Sequence, residues 1–198
     1  MARRVKTRKH NKTILLVVEG ETEQIYFSQM KSYERLAGIT VVPKLAKRSS
    51  PVHIMKEAIK ANDDAIYDYI WCVFDRDSIT ATKPTNFDEV YEQAKAKGIH
   101  FAESLPCFEV WFLMHYVLPS KYYTSSISVE NALCHHLKGY CKETQWLRKT
   151  DIYGILKQYQ PVAINNARKI DATNIETPDP DATFSKVYAL IESILEKN

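Results

Sequence analysis

The chain of 198 residues lacks any run near the roughly 18 uncharged apolar residues that a membrane span needs. Its basic N-terminus leads into no signal-peptide apolar core. Both absences predict a soluble, cytoplasmic protein. Cysteine is sparse: Cys72, Cys107, Cys134 and Cys141 are scattered and form no CxxC pair, which excludes a disulfide-framed secreted scaffold and fits a reducing compartment. There is no GxxxxGK[ST] loop, so the chain is not itself a P-loop ATPase. Internal repeats and low-complexity tracts are also absent. What remains is a length and an apolar fraction suited to one continuous core, with or without a helical extension.

The net charge of +3 is mild but uneven. Arg3, Arg4, Lys6, Arg8, Lys9 and Lys12 crowd the first dozen residues with no acid among them. Such a stretch is either an arm that tracks phosphates, each cation releasing counterions, or a solvated terminus.

Beyond the arm, TILLVV (Thr13 to Val18) is a short, continuous, β-branched-rich apolar run that stops at Glu19-Gly20, the pattern of a buried parallel strand. Glu21 to Leu36 then carries apolar residues at helical spacing, with acids at its start where the helix dipole favours them. The alternation repeats. Ile39 to Leu45 reads as strand, Val52 to Ile66 as helix, and YIWCVF (Tyr69 to Phe74) as a second fully apolar strand ending at Asp75. A helix over Asn86 to Lys97 leads through Gly98 into a fourth strand near Ile99 to Ala102.

After Pro106 the chain reads as helical over Phe108 to Tyr116, Val129 to Leu137, Asp151 to Tyr159, Pro161 to Ile170 and Phe184 to Leu195. Thr173 to Asp181 reads as a polar connector, and Thr183 as the cap of the last helix. The expected organisation is a basic arm (1–12), an α/β core with a mostly parallel four-stranded Rossmann-like sheet flanked by helices (13–105), and a helical C-terminal region that completes the site (106–198).

In open sheets, ligands bind at the carboxyl ends of parallel strands. Glu19 and Asp75 stand at such ends, and Asp77 follows two residues later, so a continued extended segment would turn Asp75 and Asp77 to the same side. If the first and third strands are neighbours, three carboxylates converge, and like charges at close range call for a hard divalent cation such as Mg²⁺. Glu23, one helical turn on, and Glu109, at the head of an apolar helix, would enlarge the set to five, enough for two ions. A pair of ions roughly 3.5–4 Å apart serves in-line displacement at phosphorus, where Arg148 or Lys149 would offset the developing charge.

Each residue also has a plainer role. Glu23 suits a helix N-terminus, Asp77-Ser78 a turn, Glu109 an exposed helix face, Gly20 a left-handed turn, and Lys149 a solvated surface. Cys134, His135, His136 and Cys141 match no zinc-finger spacing.

VVEGETEQIYF, VFDRDS and SLPCFEVWFLMH, in this order, resemble the RloB-like branch of the Toprim superfamily, and AINNARKI with TPDPDATFSKVYALIESIL resembles that family's helical tail. The resemblance implies a Toprim fold whose Glu19, Asp75 and Asp77 bind Mg²⁺ or Mn²⁺, as one ion or two. In the nuclease branches an additional acid, a Ser and Glu after the fourth strand, and a later Lys complete the site, for which Glu23, Ser104, Glu109 and Lys149 are the matching positions. It further implies a bacterial anti-phage, abortive-infection nuclease that cuts nucleic acid, RNA such as tRNA ahead of DNA, beside a partner AAA or ABC-type ATPase. A homodimer is left open. The rival readings are a non-catalytic metal- or nucleotide-binding subunit that regulates an ATPase, and a Mg²⁺-dependent phosphotransferase or phosphatase. The latter is disfavoured because DRDS ends the third strand and the first ends in Glu.

Overall fold

The computed structural model describes residues 12–35, 39–77, 79, 83–119, 122–140 and 142–196. Arg3, Arg4, Lys6, Arg8 and Lys9 of the expected arm lie outside these residues, as do Leu36, Ser78 and Cys141; Lys12 opens the first strand. In chain order the elements are β1 (Lys12–Val18), α1 (Glu21–Glu34), β2 (Ile39–Leu45), α2 (Pro51–Asp63), β3 (Tyr69–Asp75), α3 (Phe87–Ala96) and β4 (His100–Leu105). There follow α4 (Glu109–Met114), α5 (Ser126–His136), α6 (Thr144–Lys149), α7 (Ile152–Lys157), α8 (Gln160–Glu176), β5 (Phe184–Ser185) and α9 (Val187–Glu196).

The strands form one mixed sheet in the order β2-β1-β3-β4-β5, in which the first four run parallel and β5 pairs antiparallel to β4. The apolar runs of β1 and β3 are explained by helices on both faces. Ile14, Leu16, Val18, Trp71 and Val73 face a core shared with α1 and the helices of the C-terminal half. Leu15, Val17, Cys72 and Phe74 face a second core built with α2 and α3. Period-2 alternation thus sends neighbouring residues of one strand into different cores, and every position is apolar. Each fully buried Leu or Ile contributes about 1.5–3 kcal/mol.

Local signals set several boundaries. Ser50 caps α2, its hydroxyl accepting from the His53 amide at 3.4 Å, with Pro51 in the first turn. Gly98, at φ +75°, takes the left-handed conformation after α3. Ser125 and Ser128 form a reciprocal capping box at the head of α5.

The structure corrects the sequence reading at several elements. The sheet has five strands, because Phe184–Ser185, read as the start of the last helix, pairs with Ser104 and Leu105. Thr183 therefore does not cap that helix; its hydroxyl accepts instead from the Tyr123 amide at 2.8 Å. β4 continues past Ala102 through Glu103 and Ser104, because both polar side chains find partners within the fold: Arg76 for Glu103 at 3.1 Å and Ser185 for Ser104 at 2.9 Å. α2 ends at Asp63 rather than Ile66, followed by Ala65 at φ +50°. α8 runs on to Glu176, into the stretch read as a connector, and α6 is a helix that periodicity did not show.

Candidate acidic active site

Because β1 and β3 are direct neighbours, with Val18 opposite Val73, the residues that follow them emerge side by side. The Glu19 amide donates to Val73 O at 3.1 Å, and a Glu19 carboxylate oxygen accepts from the Asp75 amide at 2.9 Å. A cleft of about 260 Å³ opens here, walled by Glu19, Glu23, Asp75, Glu109, Lys142 and Thr144 among others.

Glu23 sits in the first turn of α1 and is buried. Gly20 lets it do so, since a Cβ at that position would stand 2.8 Å from a Glu23 carboxylate oxygen. Gly20 is at φ −127°, so this close approach, and not a left-handed turn, is what glycine serves there. Glu109 opens α4 and is 1 % exposed, in the cleft and not on an outer face. Its Oε1 accepts from Lys142 Nζ at 3.1 Å and from the Tyr140 hydroxyl at 3.4 Å. Lys142 also reaches Glu130, at 3.5 Å.

Glu19, Glu23, Asp75 and Glu109 therefore share one ammonium group, which Glu130 also contacts, and two oxygens, Asp75 Oδ1 and Glu109 Oε2, are buried with no hydrogen-bond partner. The electrostatics follow. Burial, with the charges of Glu109 and Glu19 added and the helix-end amide and Lys142 opposing, pushes Glu23 up to about 8. Burial and the charges of Glu23, Glu109 and Glu19 hold Asp75 well above the ordinary carboxylate range. Glu19 is raised by burial as well, against the pull of the Asp75 amide. Lys142 loses some basicity to burial, but the Glu109 carboxylate outweighs this and holds the ammonium above its usual range.

Such a set fits a hard divalent cation. All donors are oxygen, burial and neighbouring carboxylates raise Glu23 and Asp75, and two buried oxygens point at no partner. Among the described residues no three His, Cys, Asp or Glu side chains are already gathered in ligating geometry.

Of the residues expected from sequence, Glu19, Glu23, Asp75 and Glu109 are brought together. Asp77 is exposed, because the chain turns after β3, with the Ile79 amide donating to Arg76 O at 3.0 Å; the extended continuation expected for Asp75 and Asp77 does not occur. Its charge nevertheless raises Glu19. Ser104 lies beside Asp75 in register, but its hydroxyl shares a hydrogen bond with Ser185. Lys149 is exposed at the end of α6 and lines a separate groove with Arg148. Lys142, which the sequence reading did not single out, lines the cleft, and Thr144 joins the wall, its hydroxyl donating to Glu21 at 2.5 Å. Of the residues in the zinc reading, His136 stacks on Tyr116 instead.

Together these features define an α/β protein with a mostly parallel, Rossmann-like sheet and an acidic cleft at the strand ends. The family model for RloB-like protein matches residues 14–194, and the chain belongs to the RloB-like family. Neither the curated proteins nor the solved structures yield a match. Among the described residues, no helix is long and apolar enough to cross a membrane.

Proposed function

We propose that the chain is a divalent-metal-dependent phosphodiesterase of the Toprim type, acting on nucleic acid as the effector of a bacterial anti-phage system. The observation that carries this reading is the convergence of Glu19, Glu23, Asp75 and Glu109 on one cleft with two orphaned buried oxygens. Mg²⁺ or Mn²⁺ held by these residues would polarise a phosphoryl oxygen and lower the pKa of a bound water. The protein's own share is to position and to balance charge. Lys142 offsets one carboxylate and places a cation at the cleft mouth, suited to an incoming phosphate. The Asp75 amide fixes the orientation of Glu19. Cys107 beside the cleft is pushed up by burial and by Glu109 and Asp75, so it stays a thiol and supplies no nucleophile.

The defence role, and RNA such as tRNA ahead of DNA, are carried over from what the resemblance to the RloB-like family implies. A separate ATPase partner, which the resemblance implies, would account for the lack of a P-loop here. The test is incubation of purified protein with total tRNA and with plasmid DNA, each in Mg²⁺, Mn²⁺ or EDTA, beside Asp75→Ala. Metal-dependent cutting by the wild type alone is expected. Cutting that persists in EDTA or in the variant overturns the mechanism, and no cutting even with the cognate ATPase leaves a binding subunit.

A further inference from the structure

A second concavity, a groove of about 1020 Å³, runs along the outer flank of α1 beside the junction of α6 and α7. It is separate from the acidic cleft but is lined by the same two helices. Gly20 to Glu23 at the head of α1 and Thr144 at the head of α6 line the cleft, while Ser28, Ser32, Arg35, Arg148 and Lys149, further along each, line the groove. Glu21 marks the seam, accepting from Thr144 on one side and from Arg148, at 3.1 Å, on the other.

The groove is preformed. Gln29 donates to Leu147 O at 3.1 Å and Thr150 O at 2.8 Å and accepts from the Tyr153 amide at 3.1 Å, which fixes α1 against the turn between α6 and α7. It is also basic. Among the described lining residues, Arg35, Arg148 and Lys149 stand against one acid, Asp151, whose carboxylate accepts from the Gly154 amide at 3.0 Å, while Arg148 also pairs with Glu21 at the seam. Neither Arg35 nor Lys149 has an ion-pair partner among the described residues.

Arg35 carries a second signal. It ends α1 at φ 45°, ψ 45°, a left-handed position where glycine or asparagine is favoured, at a strain of about 1–2 kcal/mol. The helix dipole does not require it, since Lys31 already supplies a cation in the last turn. Strain of this kind, held on a charged residue in a groove, points to use. Tyr33, 53 % exposed, stands in the same groove.

We infer that this groove seats a single-stranded segment of the nucleic acid whose phosphodiester enters the cleft. Arg35, Arg148 and Lys149 meet its phosphates, and Tyr33 stacks on an unpaired base, a contact that a closed duplex does not offer. The inference rests on the phosphodiesterase reading of the cleft. From Gln24 to Arg35 the helix spans about 16 Å, room for a few nucleotides.

The test is binding of short labelled single-stranded RNA and DNA to the full chain in EDTA, across a salt series, for wild type, Arg35→Gly/Lys149→Ala, and Lys95→Ala on the opposite face as control. The double variant is expected to bind at least about 10-fold more weakly, with the slope of log K against log salt reduced by about 1.4, as for two lost phosphate contacts on a single strand. Its melting temperature should not fall, since glycine relieves the left-handed strain at position 35. Wild-type affinity and slope in the double variant overturn the inference, as does duplex that binds as tightly as single strand and weakens equally. Hydrolysis of bis(p-nitrophenyl) phosphate by the wild type with Mn²⁺ separates the two readings. Absence of hydrolysis in wild type counts against the phosphodiesterase, while the binding data still decide the groove.

Discussion

The Asp75 amide and the Glu19 carboxylate are joined by a 2.9 Å hydrogen bond that ties the ends of β3 and β1 through main chain on one side and side chain on the other. The tie survives loss of the Asp75 side chain. Asp75→Ala should therefore keep its fold while removing a buried oxygen that has no partner. Its metal-free melting temperature should equal or exceed that of wild type. Cleavage should fall by on the order of 10³-fold, the rate equivalent of several kcal/mol of Lewis-acid stabilisation. Thermal melts and a cleavage assay on the same preparation check both halves.

Lys142→Met leaves Glu109 buried without its cation. Because the lysine side chain is 41 % exposed, the cost should lie below the roughly 3–5 kcal/mol of a fully buried pair, at about 1–3 kcal/mol. Adding Glu109→Gln should recover most of it. Urea denaturation in EDTA measures the cycle, and additive losses in the double variant would show that the pair is not coupled.

His115, buried with Nδ1 bonded to Trp111 O at 2.8 Å, is lowered by burial to about 4 from an ordinary 6.5. Between those values the unfolded chain binds more protons than the folded one, so stability is complete above 6.5 and is lost as pH falls toward 4. The slope reaches about 1.4 kcal/mol per pH unit. The raised acids of the cleft tilt stability the opposite way, so the difference between wild type and His115→Phe is the quantity to measure. The two curves should diverge by this slope between pH 6.5 and 4; parallel curves would refute the assignment.

Gly20→Ala should push the Glu23 carboxylate out of its place, since the new methyl would lie 2.8 Å from a flexible oxygen. Affinity for Mn²⁺, followed by calorimetry, should weaken by about 10-fold with under about 1 kcal/mol of stability lost. Unchanged affinity would remove Glu23 from the metal's surroundings.

Deleting the first eleven residues, which end short of β1, removes Arg3, Arg4, Lys6, Arg8 and Lys9. If these track phosphate, the salt slope of nucleic-acid binding should fall by up to about 0.7 per cation lost on a single strand. An unchanged slope assigns the stretch to solvent.

The runs TILLVV and YIWCVF were legible as strands because a strand covered on both faces has no polar position to confuse the pattern. The acids that end them were legible because a carboxylate closing a buried strand has few structural uses. Glu109 stood out as a charge in an apolar helix, although its side of that helix did not. Lys142 was not legible. It lies in no periodic element, and only the packing of the C-terminal half brings it to Glu109, so nothing local distinguished it from Lys149 seven residues on. The two residues of β5 blended into the apolar pattern of α9, and α6 buries only Leu147 fully, too little periodicity to read.

The shared core beneath the cleft has a consequence for how the molecule comes into being. Glu109 is held by α4, Lys142 precedes α6, and the core beneath them is closed by Val187, Leu190, Ile191 and Ile194 of α9, near the end of the chain. A polypeptide still emerging from the ribosome has made Glu19 and Asp75 long before it can bury them beside their counter-charge. The cleft is therefore complete only once α9 has been made and has packed, so its carboxylates and their cation gather late in the assembly of the fold.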